Sequence, residues 1–351
     1  MNCQKCSSLI SAFMERFPGR VGFIKPVGQR YVEVDGYKID EDSYLVHEIW
    51  DMGVEIQHMS PIAVERGFTA EYITSGSSPE HLIERIESSY RAVSKGKDVV
   101  VIEGTGHAGV GSAFDLSNAK VARLLDAKVV LITVGGIGRP IDEIALNRTL
   151  FENEGVELLG VILNKVLVDK YDKVKAITEK GLKRLGIELL GTIPYREVLS
   201  SPTIGEILAE TRGELLNGEE SLDRRVERIA VGAMTPHQAL TYFNSKTLVI
   251  TPGDREDLIL AAVSKAGVRS KSHCVAGLIL TGKVLPHKAV MRIISRTKIP
   301  VIYIPEDTYS VASKVHDIIV KIHPSEKDKI RIATKLVGRH VKVDRILEKL
   351  G

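Results

Sequence analysis

Three apolar runs of the sequence end on polar residues that could bind a ligand: Lys25, Glu103 and Asn164. The Lys25 ammonium could meet an anionic substrate or a phosphate, and the Glu103 carboxylate could hold Mg²⁺ directly or through water. The Asn164 amide both donates and accepts, which suits an adenine edge. Because ligands bind beyond the carboxyl ends of strands in open α/β sheets, we expect the three to converge on one crevice. The alternative for Glu103 and Asn164 is a role in a turn or cap.

The first residues contain part of a phosphate-binding loop. Such a loop needs a strand, then G-x-x-x-x-G-K-[ST], then a helix, so that backbone N–H groups, the lysine and the hydroxyl hold the phosphates and Mg²⁺. Lys5 stands at the lysine's position with Ser7 close behind, but Gln4 replaces the second glycine and Cys6 replaces the hydroxyl. If the loop needs a positive φ at Gln4, that residue adds strain. Binding of ATP and Mg²⁺ through Lys5, Ser7 and Asn164 is therefore expected to be weak or lost.

Glycines at positions 104, 106, 109 and 111 follow the second apolar run and predict a flexible turn. His107 lies within it. A solvated loop histidine is the favoured interpretation, with a catalytic base as the alternative.

The second half of the chain carries another set of polar strand ends. Asp254 and Arg255 follow one apolar run and precede a helical pattern, while Thr281 and Gly282 follow the next run. Loops of this kind could cradle an anion or a small metabolite, which makes these four residues a candidate regulatory-ligand site. The alternative is a structural turn in which Asp254 caps the following helix.

These residues need a scaffold of alternating strands and helices. Nearly unbroken apolar runs at 21–24, 99–102, 129–134 and 159–163 are typical of parallel strands covered on both faces. Amphipathic segments between them predict a doubly wound α/β domain.

A second, smaller set of strands and helices follows. Its strands are predicted at 247–250, 277–280, 301–304 and 318–322. Residues 210–228 are polar and charged and are interpreted as a solvated connection or, alternatively, as a charged surface helix. Residues 326–350 are interpreted as a helical tail.

Composition narrows the class of protein. The chain has 351 residues, 44% hydrophobic and 26% charged, which is typical of folded domains rather than disorder. A net charge of +3, spread along the chain, favours neither nucleic acid nor membrane as a partner. Three cysteines cannot form a disulfide framework, so a cytoplasmic location is expected.

The order of these stretches resembles the dethiobiotin synthetase and cobyrinic acid a,c-diamide synthase family of P-loop proteins, and most closely the version at the N-terminus of long phosphotransacetylases. Residues 231–240, 253–257 and 278–282 look like the DRTGG domain that accompanies it. The resemblance implies a P-loop NTPase-like, doubly wound parallel-sheet domain over 1–212, a smaller α/β DRTGG domain over 225–325 and a helical tail over 326–351. It also implies that Lys5 takes the P-loop lysine's place, Glu103 the metal-site acid's, Lys25 the substrate side and Asn164 the base.

In the resembled fold the P-loop strand lies inside the sheet. Without it, neighbouring strand edges would keep unpaired backbone groups, each costing about 1–3 kcal/mol when buried. The sequence thus predicts either a shortened or mis-started gene product, which we favour, or a sheet rearranged to close its gap.

The resulting functional hypothesis is a regulatory or ligand-sensing protein with a degenerate nucleotide site and without an acetyltransferase domain. Its expected partners are a small anionic metabolite or nucleotide, a separate acyltransferase subunit and further copies of itself as a homo-oligomer. The alternative is an ATP-dependent ligase of the dethiobiotin synthetase or cobyrinic acid a,c-diamide synthase class. A third possibility is a purely oligomerising role for the second domain.

Overall fold

The computed structural model describes residues 4–264, 275–318, 324 and 326–351, with side chains from residue 9 onward. Its strands are β1 (Val21–Ile24), β2 (Val27–Gly28), β3 (Tyr31–Val34), β4 (Tyr37–Asp40), β5 (Ile62–Ala63), β6 (Val99–Ile102), β7 (Val129–Val134), β8 (Leu158–Val166), β9 (Leu189–Pro194), β10 (Glu214–Asn217), β11 (Arg228–Val231), β12 (Thr247–Pro252), β13 (Gly277–Thr281) and β14 (Val301–Ile304).

The helices alternate with these strands along most of the chain. They are α1 (Gln4–Arg16), α2 (Glu41–Ile49), α3 (Ile56–Met59), α4 (Phe68–Ser75), α5 (Glu80–Ser94), α6 (Asn118–Leu124), α7 (Gly138–Asn153), α8 (Tyr171–Arg184), α9 (Ile204–Thr211), α10 (Pro236–Ala239), α11 (Glu256–Ser264), α12 (Lys288–Ile294), α13 (Thr308–His316), α14 (Lys327–His340) and α15 (Val343–Leu350). The predicted α/β class with parallel strands is confirmed.

Two compact units divide the chain, one of residues 1–196 and 321–351 and the other of residues 197–320. This division differs from the predicted boundary near residue 212, because α9 packs its buried Ile204 and Ile207 into the core of the second unit. Residues 326–351, predicted as a separate helical tail, belong to the first unit. The Lys342 N–H donates to the Leu190 carbonyl at 2.8 Å, and α14 packs along α1 in the first unit.

The principal parallel strands of the first unit form two groups. β1 pairs with β6, while β7, β8 and β9 form a three-stranded sheet. Within the described residues no strand pairing joins β6 to β7, so each keeps one unpaired edge. The sequence predicted a gap or a rearrangement inside the sheet, but it did not place it between particular strands.

A small β-hairpin, β3 and β4, was not predicted from the sequence. Its turn is Asp35-Gly36, and both residues have positive φ, 49° and 81°. A D-G pair between alternating strands is a strong hairpin signal that the sequence does contain. The hairpin matters because β4 ends at Asp40, which belongs to the candidate site.

The second unit has one continuous five-stranded sheet in the order β10-β14-β13-β12-β11. β11 to β14 run parallel, and β10 pairs antiparallel with β14. Helices cover both faces, and each face has its own buried aliphatic core. The expectation of a purely connecting segment at 210–228 is wrong in part, because residues 214–217 form the edge strand β10, an arrangement set by tertiary pairing with β14.

Two further findings concern the described part of the chain. The predicted strand at 318–322 falls outside it except for Ile318, which is not in a strand. No helix in the described portion is both long and apolar enough to cross a membrane.

Candidate functional site

The main polar cluster of the first unit surrounds Lys25, which follows β1 and is 5% exposed. Its ammonium lies 2.9 Å from Asp40 Oδ1 and donates a hydrogen bond to Asp42 Oδ2. Both carboxylates are buried. The expected substrate-facing lysine is therefore paired with two acids that sequence reasoning missed.

Local structure explains why Asp40 and Asp42 reach Lys25. Asp40 ends β4 and caps α2, because its side chain accepts from the Asp42 N–H at 2.9 Å. The Asp40 N–H in turn donates to Ser60 Oγ at 2.9 Å. The pattern Asp-x-Asp at the start of an apolar helix is a cap signal that the sequence offered. A Cβ at Gly28 would lie 2.6 Å from Asp40, so only glycine lets β2 approach this carboxylate.

The electrostatic balance of the cluster is acidic. Burial alone would lower the pKa of the Lys25 ammonium, but the charges of Glu103, Asp42 and Asp40 together outweigh it, so that this pKa is raised well above its ordinary value. One cation faces three carboxylates, a net charge of about −2 if all four are ionised. Among the described atoms, Asp40 Oδ2 is buried and accepts no hydrogen bond.

Glu103 lies beside Lys25 because β6 pairs with β1. The Glu103 N–H donates to the Ile24 carbonyl at 2.9 Å, and the residue is 8% exposed. The structure thus brings together two of the three predicted strand-end residues.

The glycine loop after Glu103 is closed by hydrogen bonds rather than left free. Asn118 Nδ2 donates to the carbonyls of Thr105 and His107, both at 2.7 Å, and its Oδ1 accepts from the Thr105 N–H at 3.3 Å. Asn147 Oδ1 accepts from the Ala108 N–H at 2.7 Å. The prediction of a flexible turn is not what the hydrogen bonds show. Asn118, at the first turn of α6, and Asn147 of α7 are further residues that the sequence analysis missed.

Asn164 lies in the other strand group. It is on β8, opposite Val134 of β7, and is 8% exposed. Its carbonyl accepts from the Gly135 N–H at 2.6 Å. The next residue, Lys165, has a φ of 57°, and burial lowers the pKa of its ammonium. Asn164 therefore lies near the carboxyl end of β8, which continues to Val166, and on the far side of the interruption between β6 and β7.

Lys5 and Ser7 lie in the first two turns of α1, and their side chains are outside the described part of the structure. The place of Lys5 and Ser7 in a phosphate-binding loop therefore stays a prediction. The spacing Cys3-x-x-Cys6, with His273 and Cys274, could suggest a zinc site, but Cys3, His273 and Cys274 fall outside the described residues. Within the described side chains there is no group of three or more His, Cys, Asp or Glu residues suited to hold a metal.

In the second unit, Arg255 lies at the carboxyl edge of the sheet and links the loops there through hydrogen bonds. Its guanidinium donates to the carbonyls of Gly232 at 3.1 Å and Met234 at 3.0 Å, after β11. It also forms a two-bond pair with Asp257 at 2.9 and 3.0 Å, and the Arg255 hydrogen bond holds the pKa of the Asp257 carboxyl below its ordinary range. Most of the guanidinium donors are thus occupied by the protein itself.

The neighbouring loops meet Arg255 at the same edge. The Gly253 N–H donates to the Thr281 carbonyl at 3.1 Å, and the Gly282 N–H donates to the Glu306 carbonyl at 2.7 Å. Thr281 is fully buried, and its hydroxyl lies 2.7 Å from that of Thr308. Asp254, Arg255, Thr281 and Gly282 therefore belong to one continuous rim of the second sheet.

Comparisons with known proteins agree with this architecture. The AAA domain profile matches residues 6–203, and the DRTGG domain profile matches residues 206–318. The AAA match indicates a fold of the nucleotide-binding class.

The chain is similar to several phosphate acetyltransferases. It is 26% identical to that of Nitrosomonas europaea over 95% of this chain, 29% identical to that of Synechocystis sp. over 79%, and 27% identical to that of Pseudomonas putida over 96%. The aligned regions are 48%, 41% and 48% of those relatives, so the chain spans about half the length of the curated relatives it matches.

The solved structures that align include the CBS and DRTGG domains of the regulatory region of Clostridium perfringens pyrophosphatase, complexed with its activator diadenosine tetraphosphate. It is 16% identical, with a TM-score of 0.29, over 55% of this chain and 78% of that chain. So low a TM-score supports no conclusion about fold or ligand. From the profiles and the phosphate acetyltransferase relatives, the chain belongs to the AAA domain family, in its P-loop, dethiobiotin-synthetase-like form joined to a DRTGG domain, and is homologous to the N-terminal part of phosphate acetyltransferases.

Proposed function

We propose that this chain is a regulatory, ligand-sensing protein with a degenerate nucleotide site in its first unit. The observation that carries the proposal is the pairing of Lys25 with Asp40 and Asp42 in a buried, net acidic cluster. A lysine whose charge is already balanced offers little attraction to a polyanion. Homology to the N-terminal part of phosphate acetyltransferases supports a role beside such an enzyme.

The loop after β6 supports the same proposal. A phosphate site needs free backbone N–H groups turned toward the ligand. Here the Thr105 and Ala108 N–H groups already donate to Asn118 and Asn147. Glu103 remains the candidate ligand for a Mg²⁺ ion. The described residues around it do not fit a magnesium nucleotide, however, because the acidic cluster would repel the phosphates of the nucleotide.

The ligand of this sensor would bind at the rim of the second unit. Asp254, Arg255, Thr281 and Gly282 lie where loops from several parallel strands meet, the usual position of ligands in such sheets. Thr251, on β12, is fully buried, and its hydroxyl has no partner among the described atoms. A small anionic metabolite or nucleotide suits the Arg255 charge. Most N–H donors of Arg255 already form hydrogen bonds within the protein, so we expect the affinity for this ligand to be modest.

Calorimetry with MgATP tests the degenerate site directly. We expect no binding of MgATP at micromolar concentrations, because the cluster around Lys25 is acidic and N–H groups of the loop after β6 are already hydrogen-bonded. The Lys5→Ala variant is the matched probe of the P-loop lysine. Micromolar binding that disappears in Lys5→Ala would overturn the proposal.

The regulatory role has its own test. The purified chain should give no acetyl transfer between acetyl-CoA and phosphate by itself, and affinity capture from native extract should recover an acyltransferase identified by mass spectrometry. Capture that recovers no acyltransferase or other enzyme under native conditions argues against the regulatory role. Light scattering of the full chain checks the proposed homo-oligomer separately.

One observation favours the alternative of an ATP-dependent ligase. The excess of carboxylates around Lys25 could hold a cationic amine, such as one belonging to a diamine substrate. ATP hydrolysis stimulated by diaminopelargonic acid or by a corrinoid would support this alternative over the regulatory proposal.

A further inference from the structure

A groove of about 430 Å³ lies between α1 and α14 of the first unit. We call it the α1–α14 groove. Three cations of α14 and one acid of α1 line it: Arg331, Lys335, Arg339 and Glu15. All four side chains belong to exposed residues. The lining therefore carries a net charge of about +2 when the four side chains are ionised.

The three cations form a row along one face of α14. Each is four residues, about one helical turn, from the next. From Arg331 to Arg339 the row is about 12 Å long at the usual rise of a helix. One small anion cannot contact all three cations over that length. The row instead suits a ligand that carries several negative groups in series.

This row is unfavourable for α14 itself, because like charges four residues apart disfavour a helix. α7 of the same unit shows the opposite arrangement. There Arg139 pairs with Glu143, and Arg148 pairs with Glu152, each four residues apart. The contrast indicates that the charges on α14 are not placed to stabilise their own helix.

The acids around the row leave most of its charge unpaired. Arg331 lies 3.2 Å from Asp328, and both side chains are largely exposed. In the part of the chain that the structure describes, neither Lys335 nor Arg339 forms an ion pair. Two adjacent cations of the row are therefore available to an acidic ligand.

Positive charge continues past the end of the row. Burial lowers the pKa of the His340 imidazole, and three neighbouring cations lower it further: Arg196, Arg339 and Lys175. Lys175 belongs to α8, and Arg196 follows β9. The region that attracts an anion is thus longer than the groove alone.

The shape of the groove suits a helix. Its floor includes Ala12 of α1 and Gly338 of α14. A Cβ at Gly338 would meet nothing within 4 Å, so open space lies above this residue. The distance between packed helices depends on the side chains at their contact, and such small residues allow a third helix to approach closely.

Two features favour a polypeptide over a nucleic acid. No aromatic side chain is present among the described residues that line the groove, so bases would find no stacking partner there. Glu15 would repel a phosphate backbone. A polypeptide can instead offer Glu15 an N–H group or a basic side chain.

We propose that the α1–α14 groove binds an acidic helical segment of a partner protein. Its carboxylates, spaced one turn apart, face the row of cations, and its small or apolar side chains lie over Ala12 and Gly338. This is recognition of a helix in a groove, with charge setting the choice of partner. The surface uses neither the Lys25 cluster nor the rim of the second unit, so its test and the tests of the proposed function can fail independently.

Fluorescence anisotropy with the full chain tests the proposal. The probe is a labelled peptide of alanine and glutamine, about twenty residues long so that it can form a helix, with three Glu residues spaced four apart. We expect saturable binding that weakens as sodium chloride is raised to about 0.5 M, because salt screens exposed charges. No binding of this peptide at low salt would overturn the proposal.

Two further probes separate an acidic helix from other ligands. The same peptide with Lys in place of each Glu should not bind, because its charges would face the row of cations. A labelled single-stranded oligothymidine should bind more weakly than the Glu peptide. Equal binding of the Lys peptide would overturn the proposal. Tighter binding of the oligothymidine would overturn it in favour of a nucleic acid.

A set of variants locates the binding surface. Lys335→Glu reverses a charge in the row and should weaken binding of the Glu peptide by about fivefold or more. Lys180→Glu, at an exposed position of α8, makes the same change of net charge and is the matched control, with little effect expected. Equal effects of the two variants, or no effect of Lys335→Glu, would contradict the assignment of the groove.

Gly338→Leu tests the floor of the groove without a change of charge. Its side chain occupies the open space and should weaken binding of the Glu peptide by about fivefold or more. The fold should be retained, because a Cβ there meets nothing within 4 Å and leucine favours a helix more than glycine does. Unchanged binding with an unchanged circular dichroism spectrum would contradict a helix packed into the groove.

Discussion

In each unit a cationic side chain lies just beyond a parallel strand, but the two cations have different structural roles. Lys25 in the first unit is 5% exposed and is held by the carboxylates of Asp40 and Asp42. The Arg255 side chain in the second unit is 32% exposed and is held by two loop carbonyls and by Asp257. Burial accounts for the difference. Lys25 neutralises acids that could not remain charged alone, whereas Arg255 ties together loops that water also reaches.

Lys25→Met gives the largest expected effect on this comparison. It leaves Asp40 and Asp42 buried without a counter-ion, so we expect the free energy of unfolding of the first unit to fall by about 3–5 kcal/mol. Urea denaturation of the full chain measures it. Lys38→Met removes a partly exposed lysine paired with Glu65 and is the matched control, with little change expected. Equal effects of the two variants would contradict the buried role of Lys25.

Gly253→Ala probes the rim of the second unit. A Cβ at Gly253 would lie 2.0 Å from the Val284 carbonyl oxygen, so the backbone must shift. We expect a loss of about 1–3 kcal/mol in the free energy of unfolding. Gly138→Ala, where a Cβ meets nothing within 4 Å, should cause no loss. A fully stable Gly253→Ala variant would mean that the rim loops yield easily.

Alkaline pH should weaken the first unit through Lys25. The folded pKa of this ammonium is raised, so its contribution is complete below the unfolded pKa of about 10.4 and is lost as pH rises toward the folded value. Between about pH 9 and about pH 11 we expect a loss of about 1 kcal/mol. Urea midpoints at the two pH values, compared with those of Lys25→Met, isolate this contribution. The same slope in parent and variant would rule it out.

The smallest expected effect concerns the exposed pair in the second unit. Arg255→Gln removes the hydrogen bonds that hold the pKa of Asp257 low, so this pKa should rise toward its ordinary value. NMR titration of the Asp257 carboxyl carbon measures the change. Stability should change far less than in Lys25→Met, because the pair is solvated. An unchanged Asp257 pKa would show that other groups control it.

The sequence predicted strand positions well where a strongly apolar run determines the strand. The largely β-branched runs at 99–102 and 129–134 are strands in the structure with the same bounds. The strand-end positions of Lys25 and Glu103 followed from these runs, because parallel pairing fixes which ends meet. The β3–β4 hairpin was missed although Asp35-Gly36 signals it, since its short alternating strands carry little apolar character.

Contacts between residues that are far apart in the sequence could not be predicted in the same way. Nothing near Lys25 in the sequence shows that Asp42 will reach it, because that contact needs the hairpin, the Asp40 cap and α2 together. Asn118 likewise closes the glycine loop only because α6 packs beside β6.

The sequence by itself determined the α/β class, the main apolar strands and the polar residues that end them, since periodicity and side-chain type are local properties. Tertiary structure alone decided that Lys25 is neutralised, that Arg255 links neighbouring loops, and that β6 and β7 do not pair with each other in the described structure. The physical reason is that charge balance and backbone pairing depend on which distant segments pack together, and burial then sets the energetic consequence of each contact.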